Sequence, residues 1–269
     1  MIDHLSVSQL DMFSRCGEQW RRRYIEGEVI PPGVAARVGT GVHRAAEVNY
    51  KHKIEHGEDM PLDSVKDAAA DAYGKALREG VFFAPDEVSG ARHAMSAGKD
   101  AAVSLATLYR QELAPKVMPA LVEEKIILDL PGVPLPIVTI LDCYTQTKEL
   151  RDIKTASRKW DESKAHTSMQ PTVYREAVRQ VTGEYPECLC FDVLVNTKIP
   201  ALQVLPTKRD ADDLAIMTRK FQIMLASINA GIFQPAEPGS WMCSPKFCGY
   251  YYTCNYIPAL RKTQPKKAA

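Results

Sequence analysis

The chain has 269 residues, 45% hydrophobic and 25% charged, enough to bury the core of one elaborated domain or two small ones. Its net charge of +1 excludes a globally basic nucleic-acid binder, so any surface for a polyanion must be a local patch. No apolar run nears the roughly 18 residues of a membrane span, and MIDHLSVSQLDMF lacks the basic and apolar regions of a signal peptide; a reducing cytoplasm is expected, where seven cysteines point to metal rather than to a disulfide framework.

In chain order, Ser6-Val-Ser-Gln9 reads as a capping box opening a helix, with Leu10, Phe13, Trp20 and Tyr24 on a partly apolar face. Pro31-Pro32-Gly33 breaks the pattern, and a second helix starts near Gly41, carrying His43, Ala46 and Tyr50. Alanine-rich stretches at 62–79 and 85–113 are also helical. The texture changes at Pro115. Residues 121–129, 135–144 and 147–155 read as strands, 166–182 as a helix stopped by Gly183, 188–197 and 201–205 as a second strand pair, and 208–230 as a long helix ending at Gly231. An aromatic-rich, loop-like segment with three cysteines follows. The order predicts an α/β fold in one domain over 1–262, with a helical part to about 115, a mixed sheet core at 116–232 flanked by helices, and a cysteine-rich segment at 233–256. A disordered tail is expected at 263–269.

Two acidic positions stand out. Asp142 sits in an apolar strand among Ile137, Val138, Ile140 and Leu141, where a charge is costly without a partner. Asp152 and Lys154 are two apart, so they share one face of the next strand, while Arg151 and Ile153 take the other. If the strands pair, Asp142 and Asp152 can share a hard divalent cation, Mg²⁺ or Mn²⁺, with Lys154 beside a scissile phosphate. Glu123 or Glu124 is a further carboxylate candidate. The same residues read equally as a cross-strand ion pair. A second set is Cys16 with Cys243, Cys248 and Cys254, four thiolates suited to an iron–sulfur cluster or to structural zinc. Cys143, Cys188 and Cys190 read as small buried hydrophobes.

The ordered motifs resemble the PD-(D/E)XK nuclease superfamily, and within it the RecB-like exonuclease branch. Ser6-Val-Ser8-Gln-Leu10 with Phe13 and Cys16 matches its opening segment, and Gly39-Thr-Gly-Val-His43 its G-x-x-x-H element. Asp142, Asp152-Ile-Lys154 and Gln170-Pro-Thr-Val-Tyr174 follow in the places of G-x-x-D, D/E-x-K and Q-x-x-x-Y. One departure is Thr139, where the family has glycine. The resemblance implies a restriction-endonuclease-like mixed sheet and a Mg²⁺- or Mn²⁺-dependent DNA exonuclease, working on single strands or duplex ends in recombination or repair. It further implies His43, Asp142, Asp152 and the Ile153 carbonyl as metal ligands, Lys154 as the catalytic lysine, and Gln170 with Tyr174 holding phosphate or bracing the site.

Within that branch, AddB-type and CRISPR-adaptation exonucleases carry one cysteine before the nuclease core and three after it, around a [4Fe-4S] cluster. The resemblance extends this to Cys16, Cys243, Cys248 and Cys254, although the first C-terminal gap here is four residues instead of two. Zinc is the alternative at these cysteines. DNA would be held mainly through its phosphates, with Arg21–Arg23 supplying backbone contacts; each basic cluster, including Lys208-Arg209 and Lys262 with Lys266-Lys267, otherwise reads as a solvated face or tail. No Walker A motif is present, so a helicase partner, or a recombinase, would be a separate chain. The size suits a phage or mobile-element protein in a bacterial or phage-infected cell. A different class of function, a non-catalytic iron–sulfur module that binds DNA or a protein partner, stays open on the sequence.

Overall fold

A computed structural model describes residues 2–257. The tail expected at 263–269 and the basic positions 262, 266 and 267 lie outside the described residues.

The first helical stretch begins as its cap predicts and then breaks. Ser6 is extended and its Oγ accepts from the Gln9 amide at 3.2 Å, opening α1 (Val7–Arg15). The return half of the capping box is absent: the Gln9 side chain donates to the His4 carbonyl at 3.2 Å and accepts from Trp20 Nε1 at 3.4 Å. The single helix expected through Tyr24 is two, because Cys16 is extended and its Sγ caps α2 (Gly17–Tyr24). The break is tertiary in origin. The Gly17 amide donates to the Gln234 carbonyl at 2.7 Å, and a Cβ at Gly17 would come within 2.9 Å of that backbone.

The helical part follows as α3 (Val34–His56), α4 (Leu62–Arg78) and α5 (Ala91–Leu108), the last continuing into one π turn at Tyr109–Leu113. α3 starts earlier than the glycines suggested. Gly41 lies inside it, where a Cβ would meet the Ala69 carbonyl at 2.8 Å, so the residue lets α4 approach closely. The alanine-rich faces of the three helices bury Val42, Ala45, Ala69, Ala102 and Leu105 together. Side chains as large as Leu105 each contribute roughly 1.5–3 kcal/mol on burial.

The sheet holds β1 (Pro119–Leu128), β2 (Ile137–Thr145), β3 (Glu149–Ala156), β4 (Cys188–Val195) and β5 (Ala201–Thr207), side by side in chain order. β1–β2, β2–β3 and β4–β5 are antiparallel; β3–β4 is parallel. A parallel step needs a crossover, supplied by α6 (Glu162–Thr167) and α7 (Gln170–Thr182). The helix expected over 166–182 is thus divided at Ser168–Met169, and it ends as expected at Gly183, with φ +82°. The α3–α5 layer covers one sheet face through Val122, Cys143, Ile153 and Leu194. α7 covers the other, packing Tyr174, Ala177 and Val178 on Ile126, Leu141 and Leu150. α8 (Ala211–Asn229) packs Met217 and Phe221 with Leu10 and Trp20 of the N-terminal helices. This is the expected mixed α/β sheet flanked by helices. Among the described residues no helix is long and apolar enough to cross a membrane.

Candidate metal centre and cysteine cluster

The sheet forks at the two aspartates. β2 and β3 pair at Cys143–Arg151 and Tyr144–Leu150, and the next step of that register sets Asp142 opposite Asp152, where the ladder ends. Past the fork the Ile153 amide donates to Asp142 Oδ2 at 2.9 Å. An extended residue sends its N–H and C=O to the same edge, so the Ile153 carbonyl faces the same gap. On the other side of β2, Val122 pairs with Cys143 and Glu124 with Leu141, which puts Glu123 opposite Asp142. Three neighbouring strands therefore carry three carboxylates in consecutive lateral positions. Glu123 has φ 52°, a left-handed conformation that costs an L residue roughly 1–2 kcal/mol. Such strain is concentrated at functional sites.

α3 brings the imidazole. His43 Nδ1 lies 3.5 Å from Asp142 Oδ2, and ligand atoms of His43, Glu123 and Asp142 all lie within 4.8 Å of one another. Gly39, one turn earlier, lets α3 lie on β3: its Cβ position is 3.4 Å from Thr155 Oγ1. Burial raises the Glu123 carboxyl to about 7, with Asp142 and Glu47 adding repulsion. Glu47, one turn after His43, is the residue that the sequence reading missed. Its His-x-x-x-Glu spacing on one helix face was the available signal. Both its oxygens are engaged, at 2.7 Å, by Lys51 and Arg44.

Asp152 is 3% exposed, and neither carboxylate oxygen has a hydrogen-bond donor. Lys154 Nζ is 2.7 Å from its Oδ2 but not aligned for a hydrogen bond, so the contact is an ion pair only. Burial raises the Asp152 pKa, Asp142 adds to the rise, and Lys154 opposes it. A buried carboxylate held by one ion pair and no hydrogen bond is costly. Asp152 stands outside the group of His43, Glu123 and Asp142 whose ligand atoms lie within 4.8 Å of one another among the described residues; a divalent cation drawing it toward Asp142 would lower that cost, and the donor set of carboxylates, one imidazole and a carbonyl fits such an ion. Lys154 keeps its proton, because Asp152 and Asp142 outweigh the burial that alone would remove it.

Gln170 and Tyr174 reach the site from α7. Gln170 Nε2 donates to the Tyr174 hydroxyl at 2.5 Å. Burial, then the charges of Asp152 and Asp142, push the Tyr174 phenol well above its usual range. Arg151 points away, as its position in the strand predicts, and grips Asp192 with two bonds of 2.8 and 2.6 Å.

The four cysteines of the second set line one pocket between α2 and the C-terminal segment. The Ala236 amide donates to Cys16 Sγ at 3.3 Å. Burial raises the thiols of Cys243 and Cys248, the latter to about 11, and the neighbouring cysteines raise both further. No three of these sulfurs lie within 4.8 Å of one another among the described residues. Tetrahedral zinc with Zn–S bonds of about 2.3 Å needs sulfurs about 3.8 Å apart. Cys143 is buried in the core, and Cys188 and Cys190 sit with their sulfurs 2.9 Å apart, Cys188 only half-buried. Two of the cations expected to bind DNA are matched internally: Arg21 by Glu18 and Glu26 at 2.7 and 2.6 Å, and Arg22 by Glu28 at 2.5 Å.

Among solved structures the chain is similar to a presumed exonuclease from Eubacterium rectale, at 16% identity over 99% of this chain and 90% of that one, with a TM-score of 0.59. At that identity the likeness is one of fold. Similarity to SSO0001, at 15% identity over 92% and 94% of the two chains, has a TM-score of 0.36 and carries no weight. No curated protein matches in sequence. The family model of the PD-(D/E)XK nuclease superfamily, however, matches residues 4–255, which include the fork, the histidine and all four cysteines of the second set. The chain belongs to the PD-(D/E)XK nuclease superfamily.

Proposed function

We propose that this nuclease is a Mg²⁺- or Mn²⁺-dependent deoxyribonuclease that digests single-stranded DNA or duplex ends as an exonuclease, in recombination or repair of a phage or mobile-element type. The observation that carries the reading is the fork, where His43, Glu123 and Asp142 bring ligand atoms within 4.8 Å of one another and the strand register sets buried Asp152, paired with Lys154, opposite Asp142. Likeness in fold to a presumed exonuclease agrees with it.

Asp142, Asp152, His43 and the Ile153 carbonyl would hold the cation, with Glu123 as a further carboxylate. When bound, the cation supplies Lewis acidity at the phosphate and acidifies water. Asp142 is oriented by the Ile153 amide, which fixes one of its oxygens. Lys154, held charged by the two aspartates, would stabilise negative charge that grows on the phosphate as the P–O bond breaks. Tyr174, fixed by Gln170, would brace Asp152 or hold a phosphate oxygen. One imidazole among oxygen ligands suits Mn²⁺ better than Mg²⁺.

Cys16, Cys243, Cys248 and Cys254 would hold a [4Fe-4S] cluster. No three of the sulfurs stand as close together as zinc requires, which agrees with a cluster, where each thiolate binds a separate iron. It would join positions 238 residues apart, from Cys16 to Cys254, so that binding becomes folding free energy. A helicase or recombinase on a separate chain would supply ends, in the cytoplasm of a bacterial or phage-infected cell. The test is digestion of 5′- and 3′-labelled oligonucleotides under Mn²⁺ and Mg²⁺ titration, wild type beside Asp152→Asn. Stepwise shortening from an end in wild type alone is expected; equal digestion by the variant refutes the assigned site.

A further inference from the structure

A groove of about 520 Å³ opens where β3 leaves the catalytic centre, directly after Lys154. One wall is apolar and comes from the helical part, through Val38 and Leu105. The other is the loop and helix after β3, with Arg158, Lys159, Trp160 and Lys164. Its size falls within the roughly 300–1,000 Å³ of ordinary small-molecule sites, room for a nucleotide or two beside the reacting phosphate.

Two features mark this groove. First, three cations that lack acidic partners gather on one wall of it, next to the metal-centre strand. Arg21, Arg22, Arg44, Lys51, Lys53, Arg151 and Arg175 all make ion pairs within the chain. Among the described residues Arg158, Lys159 and Lys164 make none within 4.0 Å. Asp161, the carboxylate in the lining, instead caps α6 by accepting from the Ser163 amide at 2.9 Å. Lys164 also feels Lys154; burial and then that neighbour lower its proton affinity. Bringing positive charges together without compensation is unfavourable in the free protein and is rewarded when a polyanion enters.

Second, the aromatic residue is built in. The Gln203 side chain on β5 clamps both backbone groups of Trp160: its Oε1 accepts from the Trp160 amide, and its Nε2 donates to the Trp160 carbonyl, each at 2.9 Å. The indole leans on Phe191 at 5.4 Å and carries Lys164 Nζ 3.8 Å above its ring. That cation–π contact parks the ammonium at the groove without neutralising it. A paired base presents no free face to such a wall, whereas an unpaired one does.

We propose that Arg158, Lys159 and Lys164 take the phosphates of an unpaired DNA strand flanking the scissile bond, with Val38, Leu105 and Trp160 as the wall that its bases face. This rests on the nuclease reading of the neighbouring site and deepens it: the strand that enters is single.

The test replaces Arg158, Lys159 and Lys164 together by Gln in the full chain. Binding of a fluorescein-labelled 15-nucleotide dT strand is followed by anisotropy in Ca²⁺, which occupies oxygen sites with looser geometry than Mg²⁺. Affinity should fall at least tenfold, and the slope of log K against log salt should shrink by about 2, since each single-strand phosphate contact is worth about 0.7. A blunt hairpin duplex should lose less than threefold. Unchanged strand binding and slope, or an equal loss on the duplex, overturns the proposal. Hydrolysis of thymidine 5′-monophosphate p-nitrophenyl ester in Mn²⁺ reads the catalytic centre without flanking phosphates, and should be equal in the two proteins. Digestion of the labelled oligonucleotides decides the nuclease reading separately, and the binding arm decides the groove whichever way that falls.

Discussion

Glu123 is the residue through which pH should speak most clearly. Its carboxyl is raised to about 7 by burial, Asp142 and Glu47. A carboxyl raised on folding stabilises the protein while protonated; that contribution is complete below about pH 4.5 and is lost as pH rises through about 7. A cation at the site needs the ionised form, so binding must expel the proton. At pH 6, one unit below a value of about 7, roughly ten of every eleven carboxyls are protonated; at pH 8 roughly one in eleven is. Glu123 alone should therefore weaken apparent Mn²⁺ affinity about tenfold between pH 8 and pH 6. Glu123→Gln removes the titrating group. The variant should bind Mn²⁺ more weakly at pH 8, show a pH slope smaller by about one decade, and melt higher than wild type when metal-free at pH 8. Titration calorimetry at pH 6, 7 and 8, with thermal melts with and without Mn²⁺, measures all three. Equal pH slopes in the two proteins would refute the placing of a raised Glu123 carboxyl at the metal.

In its proposed role Lys154 serves charge that develops in the transition state, so Lys154→Met should keep Mn²⁺ affinity within a few-fold but lower kcat at least a hundredfold; single-turnover cleavage with metal titration reads both. Cys16→Ser should abolish absorbance near ~400 nm in anaerobically purified protein and lower the melting temperature, and an unchanged spectrum would remove Cys16 from the ligand set. Arg151→Met leaves Asp192 buried with its two hydrogen bonds gone, so a loss of about 3–5 kcal/mol is expected in urea unfolding. The metal-dependent step should survive in whatever fraction remains folded.

What was readable beforehand obeys local periodicity. The period of two in a strand places Asp152 and Lys154 on one face and Arg151 on the other, and the structure agrees. The period of 3.6 places Gln170 beside Tyr174, and they hydrogen-bond. Gly183 stops α7 in the left-handed conformation that glycine tolerates. Strand order followed the chain because all connections but one are short antiparallel returns.

What was not readable depends on partners far away in the chain. The break at Cys16 is made by Gln234, which bonds the Gly17 amide, and no window of sequence around Cys16 contains it. The choice between Glu123 and Glu124 turns on the β1–β2 register, which pairs Glu124 with Leu141 and leaves Glu123 opposite Asp142. The fork is a stronger case. The β2–β3 ladder stops where Asp142 stands opposite Asp152, and the Ile153 amide turns to the Asp142 side chain in place of a backbone carbonyl. A strand motif states which face each carboxylate takes; it does not state where the pairing ends, nor that α3 lies against β3 at Gly39 and brings His43 to 3.5 Å from Asp142. The motifs thus name the proposed ligands in order along the chain, while the long-range packing of α3 on the sheet sets His43 beside Asp142.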